Sequence, residues 1–129
     1  MSEEENVETV RKLWDAFARD DLDGVFALAD PHVVMVTLEE GALYGQDAVR
    51  RNHERWIETW EEAEATVEEA IGVRDHVFVV GRLRGRGRAS GVEVEQRLYD
   101  VYTLRNGKIL HVEEFRERSD ALEAAGLRE

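Results

Sequence analysis

The sequence predicts an α+β domain in which helices cover one face of a curved antiparallel sheet. Apolar residues recur at helical intervals in the first half of the chain, whereas from residue 66 onward apolar, β-branched segments alternate with turn signals. Helices followed by a run of strands are typical of this fold class. Gly81, Gly85 and Gly87 lie inside one predicted strand and indicate a bend there. We therefore expect a cone-shaped sheet, capped by the N-terminal helices and open at one end.

Three helices are predicted before the main run of strands. Ser2 and Glu5 have capping-box spacing and begin the first helix. A short second helix follows the break at residues 20–24 and ends at Pro31. The third helix follows Gly45, and its heavy apolar stripe consists of Val49, His53, Trp56 and Trp60.

The strands and the C-terminal end follow from shorter signals. Residues 33–38 form an apolar, β-branched run that predicts a strand, and residues 43–44 pair back onto it. Later strands break near residues 74–76 and 90–91. Residues 119–126 predict a short terminal helix that a glycine stops. The whole chain, residues 1–129, is expected to be a single domain.

The Asn106-Gly107 pair predicts a two-residue hairpin turn, and such a turn fixes the pairing of its two strands. Because side chains alternate with period 2, one face then carries a defined set of residues. The predicted cross-strand pairs on it are Leu104 with Ile109, Tyr102 with His111, Asp100 with Glu113, and Leu98 with Phe115. A similar turn at Ser90-Gly91 would place Arg88 opposite Glu93 and Arg86 opposite Glu95, with the strand glycines on the same face as Asp100.

This face predicts acid/base chemistry. Asp100 and Glu113, paired in an apolar pocket, would share a proton, because like charges at that range raise one pKa. Such a pair offers an acid and a base at one pH, with His111 and Tyr102 to orient a ligand. In the alternative interpretation the carboxylates are solvated at the open end or neutralised by an arginine such as Arg97 or Arg116.

The predicted pocket is lined by ten residues that would contact the ligand: Trp14, Phe17, Met35, Tyr44, His53, Trp56, Trp60, Gln96, Leu98 and Phe115. His53 has an alternative interpretation as a packed, hydrogen-bonded histidine. If it faced His111 beside Glu113, the three would also match a two-histidine, one-carboxylate metal set, although no local spacing signature supports one. We predict neither a metal nor a cofactor.

Composition excludes several classes of function. The absence of cysteine rules out a disulfide framework, a thiolate metal site and a thiol nucleophile. The net charge of −12 argues against nucleic-acid and anionic-membrane partners. Neither a long apolar span nor a signal-peptide pattern is recognisable, so a cytoplasmic protein is expected.

Four segments together resemble the SnoaL-like group of the nuclear transport factor 2 superfamily. They are DLDGVFALAD at residues 21–30, LYGQDAVR at 43–50, NGKILH at 106–111 and ALEAAGL at 121–127. The resemblance implies a cystatin-like, nuclear transport factor 2-like cone. It also implies a family with several chemistries, so the fold alone does not settle the function.

The resemblance also suggests roles for individual residues. Asp100 matches the position of the protonated acid in ketosteroid isomerases, whereas Val36 stands where those enzymes have their base and Leu13 where they have a helix-one tyrosine. Glu113 and His111 match the spacing of a carboxylate base and a histidine in SnoaL-type cyclases. The predicted function is therefore cofactor-independent isomerase, cyclase or hydrolase chemistry on an apolar carbonyl-bearing or polycyclic compound. The alternative is a non-catalytic binding or dimerising module of the same fold.

The opposite face of the sheet predicts an interface. By the same register it presents Phe78, Val80, Tyr99, Val101, Leu110 and Val112 within a charged rim. The resemblance implies homodimers formed through this face, and Val101→Arg would then give a monomer. In the alternative interpretation residues 119–127 fold back over the patch.

Overall fold

Four helices and six strands follow one another along residues 2–127, the part of the chain that this computed structural model describes. Their bounds are α1 Glu3–Ala18, α2 Leu22–Ala27, β1 Ala29–Thr37, β2 Gly41–Tyr44, α3 Gln46–Thr59, β3 Trp60–Val73, β4 His76–Gly87, β5 Glu93–Arg105, β6 Lys108–Phe115 and α4 Arg118–Ala125. The order of elements confirms the predicted α+β class. Strand β3 begins at Trp60 rather than near residue 66, so Trp60 starts a strand and does not extend the apolar stripe of α3.

The six strands form one sheet in the order β2-β1-β6-β5-β4-β3. Neighbouring strands are antiparallel except for β1 and β6, which run parallel. The predicted sheet was wholly antiparallel, and this pair departs from it because the last strand returns to lie beside the first. A parallel pair requires a long crossover, and here the whole chain between β1 and β6 provides it.

The N-terminal helices begin as the local sequence predicts. The Ser2 hydroxyl accepts a hydrogen bond from the Glu5 backbone N–H at 3.1 Å, and the Ser2 backbone N–H donates to Glu5 Oε1 at 3.1 Å. This reciprocal pair is the expected capping box, and it satisfies donors that a helix start leaves free. None of the helices described between residues 2 and 127 is long and apolar enough to cross a membrane.

The Trp14 side chain of helix α1 approaches the sheet closely at Gly81 on β4. A Cβ atom at this position would lie 2.2 Å from Cη2 of Trp14, whose side chain is buried and donates its Nε1–H to the Tyr102 hydroxyl at 2.9 Å. The absence of a side chain at Gly81 therefore lets the Trp14 ring approach the strand. The glycine serves helix packing as well as sheet curvature.

We expect Gly81→Ala to lower the free energy of unfolding by about 1–3 kcal/mol, because the added methyl group has no room beside a ring that is already hydrogen-bonded. Gly85→Ala is the matched control, since its Cβ would meet Trp60 Cε3 at an ordinary 3.4 Å. Urea denaturation of the two variants measures the difference. Equal stability of both would show that Trp14 is free to move.

The Asn106-Gly107 turn has the predicted geometry, but the strands beyond it are shifted by one residue. Asn106 and Gly107 both have positive φ, 53° and 75°, and Leu104 pairs with Ile109 as expected. The register then shifts between Thr103 and Leu104 because a β-bulge leaves Leu110 without a partner, so Thr103 pairs with His111, Val101 with Glu113, and Asp100 with Glu114. From there to its end, every side chain of β6 lies on the face opposite to the one predicted.

The β4–β5 hairpin is shifted by two residues, which leaves its faces unchanged. Arg86 pairs with Glu93, and Leu83 with Gln96, because the connection is longer than the predicted Ser90-Gly91 turn. An even shift preserves the alternation of side chains. The strand glycines therefore remain on the same face as Asp100, as predicted.

Helix α4 covers the centre of the apolar patch that was predicted to form an interface. Ala121, Leu122 and Ala125 of α4 pack against Phe78, Val80 and Val101. Val112 lies in the inner core instead, because the bulge inverts its face. The prediction that Phe78, Val80, Val101 and Val112 form an exposed apolar patch is therefore wrong. Since Val101 is only 5% exposed, Val101→Arg would disturb the fold itself and does not test a dimer.

Candidate active site

Two connected cavities lie between the inner sheet face and the helices. The inner chamber has a volume of about 90 Å³ and lies between α1, α3 and strands β4, β5 and β6. The vestibule, about 480 Å³, opens outward past α3 and the turn after β1. Asn52, Trp56, Leu83, Leu98 and Glu114 line both cavities, so one continuous path leads from solvent to the inner chamber.

Most of the residues predicted to contact a ligand lie along this path. The inner chamber contains Trp14, Phe17, Met35, His53, Trp56, Leu98, Asp100 and Tyr102. The vestibule contains Trp60 and Gln96. The rings of Phe17 and Trp56 have centroids 5.0 Å apart, and those of Trp56 and Trp60 6.4 Å apart, so aromatic surface extends from one cavity to the other.

Asp100 is the most deeply buried acid of the site. Its side chain is 4% exposed, and its Oδ1 atom has no hydrogen-bond partner among the described residues. Burial raises the pKa of Asp100 well above its ordinary value, and the nearby charge of Glu114 raises it further. Burial therefore favours the neutral carboxylic acid form of Asp100, which can donate a hydrogen bond into the chamber.

Tyr102 lies two residues farther along β5 on the same face. Its hydroxyl oxygen accepts the hydrogen bond from Trp14, so the phenolic proton is not used in that bond. Burial raises the pKa of Tyr102 well above its ordinary value, and Asp100 raises it further when that acid is ionised. The neutral phenol is thus a second donor in the chamber.

Glu114 pairs directly with Asp100 across the strands and lines both cavities. Its Oε1 atom accepts a hydrogen bond from the Leu38 backbone N–H at 3.1 Å. Burial raises the pKa of Glu114, the hydrogen bond from Leu38 opposes that effect, and the charge of Glu39 adds to it. Both acids have raised pKa values, but that of Asp100 is raised further, whereas the hydrogen bond from Leu38 favours the Glu114 carboxylate. Glu114 is therefore the candidate base.

Four of the predicted site residues line neither cavity. Glu113 and His111 pair with Val101 and Thr103, and Val101 packs beneath α4, so both lie on the outer face. The bulge at Leu110 is the physical reason. Phe115 packs against the apolar cluster under α4, and Tyr44 is 74% exposed at the sheet edge.

The same inversion separates the three side chains of the alternative metal set. His53 lines the inner chamber, whereas His111 and Glu113 lie across the sheet from it. Within residues 2–127 no group of three or more histidine, aspartate or glutamate side chains is arranged to hold a metal ion.

Neither of the arginines considered as neutralising partners forms an ion pair with the two acids, although Arg116 and Glu114 both line the vestibule. Arg97 donates to Glu68 at 2.8 Å, and Arg116 is an exposed residue of the vestibule wall. In the described part of the chain, neither Asp100 nor Glu114 forms a salt bridge. The raised pKa values are therefore not offset by an ion pair.

Glu114 is the functional candidate that the sequence prediction missed. The apolar pattern of β6 contains the signal, since Ile109 and Val112 are three residues apart and both belong to the core. Strict alternation cannot bury both, whereas one bulge between them can. The same bulge turns Glu114 inward.

Comparison with known proteins places the chain in a family. A sequence profile of the SnoaL-like domain matches residues 10–112. The chain belongs to the SnoaL-like domain family. No curated protein matches the sequence closely enough to show a relationship.

Solved structures of similar fold agree with this family. A nuclear transport factor 2-like protein of unknown function from Burkholderia pseudomallei is 24% identical, with a TM-score of 0.80 over 95% of this chain and 97% of that one. A proposed SnoaL-like polyketide cyclase from Jannaschia sp. is 24% identical, with a TM-score of 0.80 over 87% and 85%. AclR, a proposed hydroxylase from Streptomyces galilaeus, is 16% identical, with a TM-score of 0.79 over 97% and 98%. At these identities the likeness shows the fold of this SnoaL-like protein.

Proposed function

We propose that this protein performs cofactor-independent acid/base chemistry, of the isomerase, cyclase or hydrolase type, on an apolar carbonyl-bearing or polycyclic compound. The observation that carries the proposal is the direct cross-strand pairing of Asp100 with Glu114 at an inner chamber. Asp100 is buried, and its Oδ1 has no partner among residues 2–127, whereas Glu114 accepts a hydrogen bond that favours its carboxylate. Because the two environments give the carboxyl groups different pKa values, we assign Asp100 as the acid and Glu114 as the base.

The roles follow from the contacts. The carbonyl oxygen of the ligand lies in the chamber and accepts hydrogen bonds from the Asp100 carboxylic acid and the Tyr102 hydroxyl. The Glu114 carboxylate removes a proton from the carbon next to the carbonyl. The electron pair of that C–H bond forms a C=C bond, and the π pair of the carbonyl moves onto its oxygen. The two donors stabilise the resulting enolate, and Glu114 returns its proton to a carbon of the ligand.

The residues that line the two cavities indicate the size and polarity of the rest of the ligand. The inner chamber, about 90 Å³, has room for one end of a drug-sized molecule, and the vestibule takes the remainder. Trp56 and Trp60 present aromatic surface along the path. A flat apolar body with a carbonyl at one end fits this shape and chemistry.

Deuterium uptake by a model ketone tests the proposal and its non-catalytic alternative together. The probe is 2-tetralone in D₂O, followed by proton NMR. We expect the protein to accelerate exchange at the carbon between the carbonyl and the ring, in proportion to protein concentration. Broadened ketone signals without faster exchange would instead indicate a binding module and overturn the catalytic proposal.

We further propose that two copies of the chain associate through the part of the outer face that α4 does not cover. That part includes the half-buried Val34 and Val36 of β1 and the exposed Tyr44 of β2. Contiguous apolar surface of this kind is typical of an interface. Sedimentation equilibrium at micromolar concentration should give twice the chain mass of 14.8 kDa, and a value at the chain mass would refute the dimer.

A further inference from the structure

His53 lines the inner chamber, and its ring offers a hydrogen-bonding group of a different kind from the donors Asp100 and Tyr102. Its Nδ1 atom lies 3.0 Å from the backbone carbonyl oxygen of Val49, one turn earlier in α3. A carbonyl oxygen can only accept, so Nδ1 carries the proton of this bond. In the neutral ring the other nitrogen, Nε2, is then an acceptor, and no described protein atom donates to it.

The surroundings of the ring keep it neutral and fixed. The Phe17 ring meets it edge-on with centroids 5.2 Å apart, and the Phe26 ring lies at 5.6 Å. Burial lowers the pKa of His53 to about 4, and the hydrogen bond to Val49 opposes this only in part. At neutral pH the imidazole is therefore a poor proton acceptor but remains a good hydrogen-bond acceptor.

Besides Glu114 and Asn52, which it shares with the vestibule, the inner chamber thus has two donors and the acceptor on His53. Asp100 and Tyr102 supply the donors, and a ligand carbonyl satisfies them without using His53. A ligand that has only a carbonyl and displaces water from the chamber leaves Nε2 without a donor, which costs about 1–3 kcal/mol. A ligand that also carries a hydroxyl beside the carbonyl avoids this cost.

We propose that His53 is a specificity-determining residue that selects compounds with a hydroxyl group next to the carbonyl that enters the inner chamber. The proposal rests on the proposed function, because it assumes that the carbonyl binds at Asp100 and Tyr102. It narrows the substrate class from apolar carbonyl compounds to hydroxy-carbonyl compounds. His53 acts here by positioning and selecting the ligand, and Glu114 remains the base.

Three probes of similar shape test the selection. They are 2-hydroxyacetophenone with its hydroxyl on the carbon next to the carbonyl, its methyl ether, which keeps the oxygen and loses the donor, and acetophenone. We expect the wild-type protein to bind the hydroxyl compound about tenfold more tightly than either of the others, as measured by isothermal titration calorimetry. In His53→Phe the preference should fall to about twofold or less.

The outcomes separate this inference from the proposed function. Equal binding of all three probes by the wild-type protein, or a preference that survives in His53→Phe, overturns the role of His53 and leaves the carbonyl site standing. Failure of all three to bind overturns both. If His53→Phe does not fold, ¹⁵N NMR of histidine-labelled wild-type protein decides: the hydroxyl compound should shift the Nε2 signal of His53 and the methyl ether should not, and equal shifts refute the proposal.

Discussion

Glu114→Gln should reduce deuterium exchange into 2-tetralone by about 10²- to 10⁴-fold, because the amide keeps the shape of the side chain and loses the base. The Leu38 N–H can still donate to the amide oxygen, so the position of the side chain is preserved. Binding of the ketone should change little, since Asp100 and Tyr102 remain. Exchange rate and affinity are both read from NMR titrations.

Glu113→Gln is the matched control for this loss. It makes the same chemical change one residue earlier on β6, where the side chain lies on the outer face beside Val101. We expect an exchange rate within about twofold of the wild type, because surface changes of this kind are close to neutral. Equal losses of exchange rate in both variants would mean that only the overall charge matters. A larger loss in Glu113→Gln would contradict the observed register and support the one predicted from the sequence.

Acidification should destabilise the fold through His53. Its folded-state pKa of about 4 lies below the ordinary value of 6.5, so the unfolded chain takes up a proton between these pH values that the folded protein does not. Stability from this group is complete above pH 6.5 and is lost as the pH falls to 4, by about 3 kcal/mol. Urea denaturation at both pH values measures the loss.

His53→Phe should remove this component of the pH dependence, since a phenyl ring fits between Phe17 and Phe26 and cannot titrate. His32→Gln at an exposed position is the control and should leave the pH dependence as in the wild type. Other groups titrate in the same range, so the quantity that counts is the difference between variant and wild type. An unchanged slope in His53→Phe would show that the imidazole is solvated in the folded state.

The sequence predicted those parts of the fold that short-range chemistry decides. The capping box at Ser2 and Glu5, the positive φ values at Asn106 and Gly107, and the stop of α4 at Gly126 all depend on side chains within a few residues. The parallel pairing of β1 with β6 depends on contacts between distant segments. No local pattern specifies it.

In the candidate site too, the sequence predicted what local patterns decide and missed what packing between distant segments decides. Asp100 and Tyr102 lie in the chamber as the alternation of β5 predicted, because that strand has no irregularity between them. The prediction of Glu113 and His111 was wrong because one unpaired residue, Leu110, inverts all that follows it on β6. Burial of both Ile109 and Val112 favours the bulge over strict pairing. A prediction based on strict alternation takes no account of this gain in core packing.

Titration of the Asp100 carboxyl group distinguishes the acid of the site from the base. We expect Asp100 to stay protonated beside an ionised Glu114, because Asp100 is the more deeply buried and its Oδ1 atom has no hydrogen-bond partner among the described residues. Carbon-13 NMR of the side-chain carboxyls in the wild-type protein should show Asp100 ionising well above the ordinary aspartate range, after Glu114, and at lower pH in Glu114→Gln. An Asp100 carboxyl that ionises in the ordinary range, or before Glu114, would contradict the assignment of acid and base.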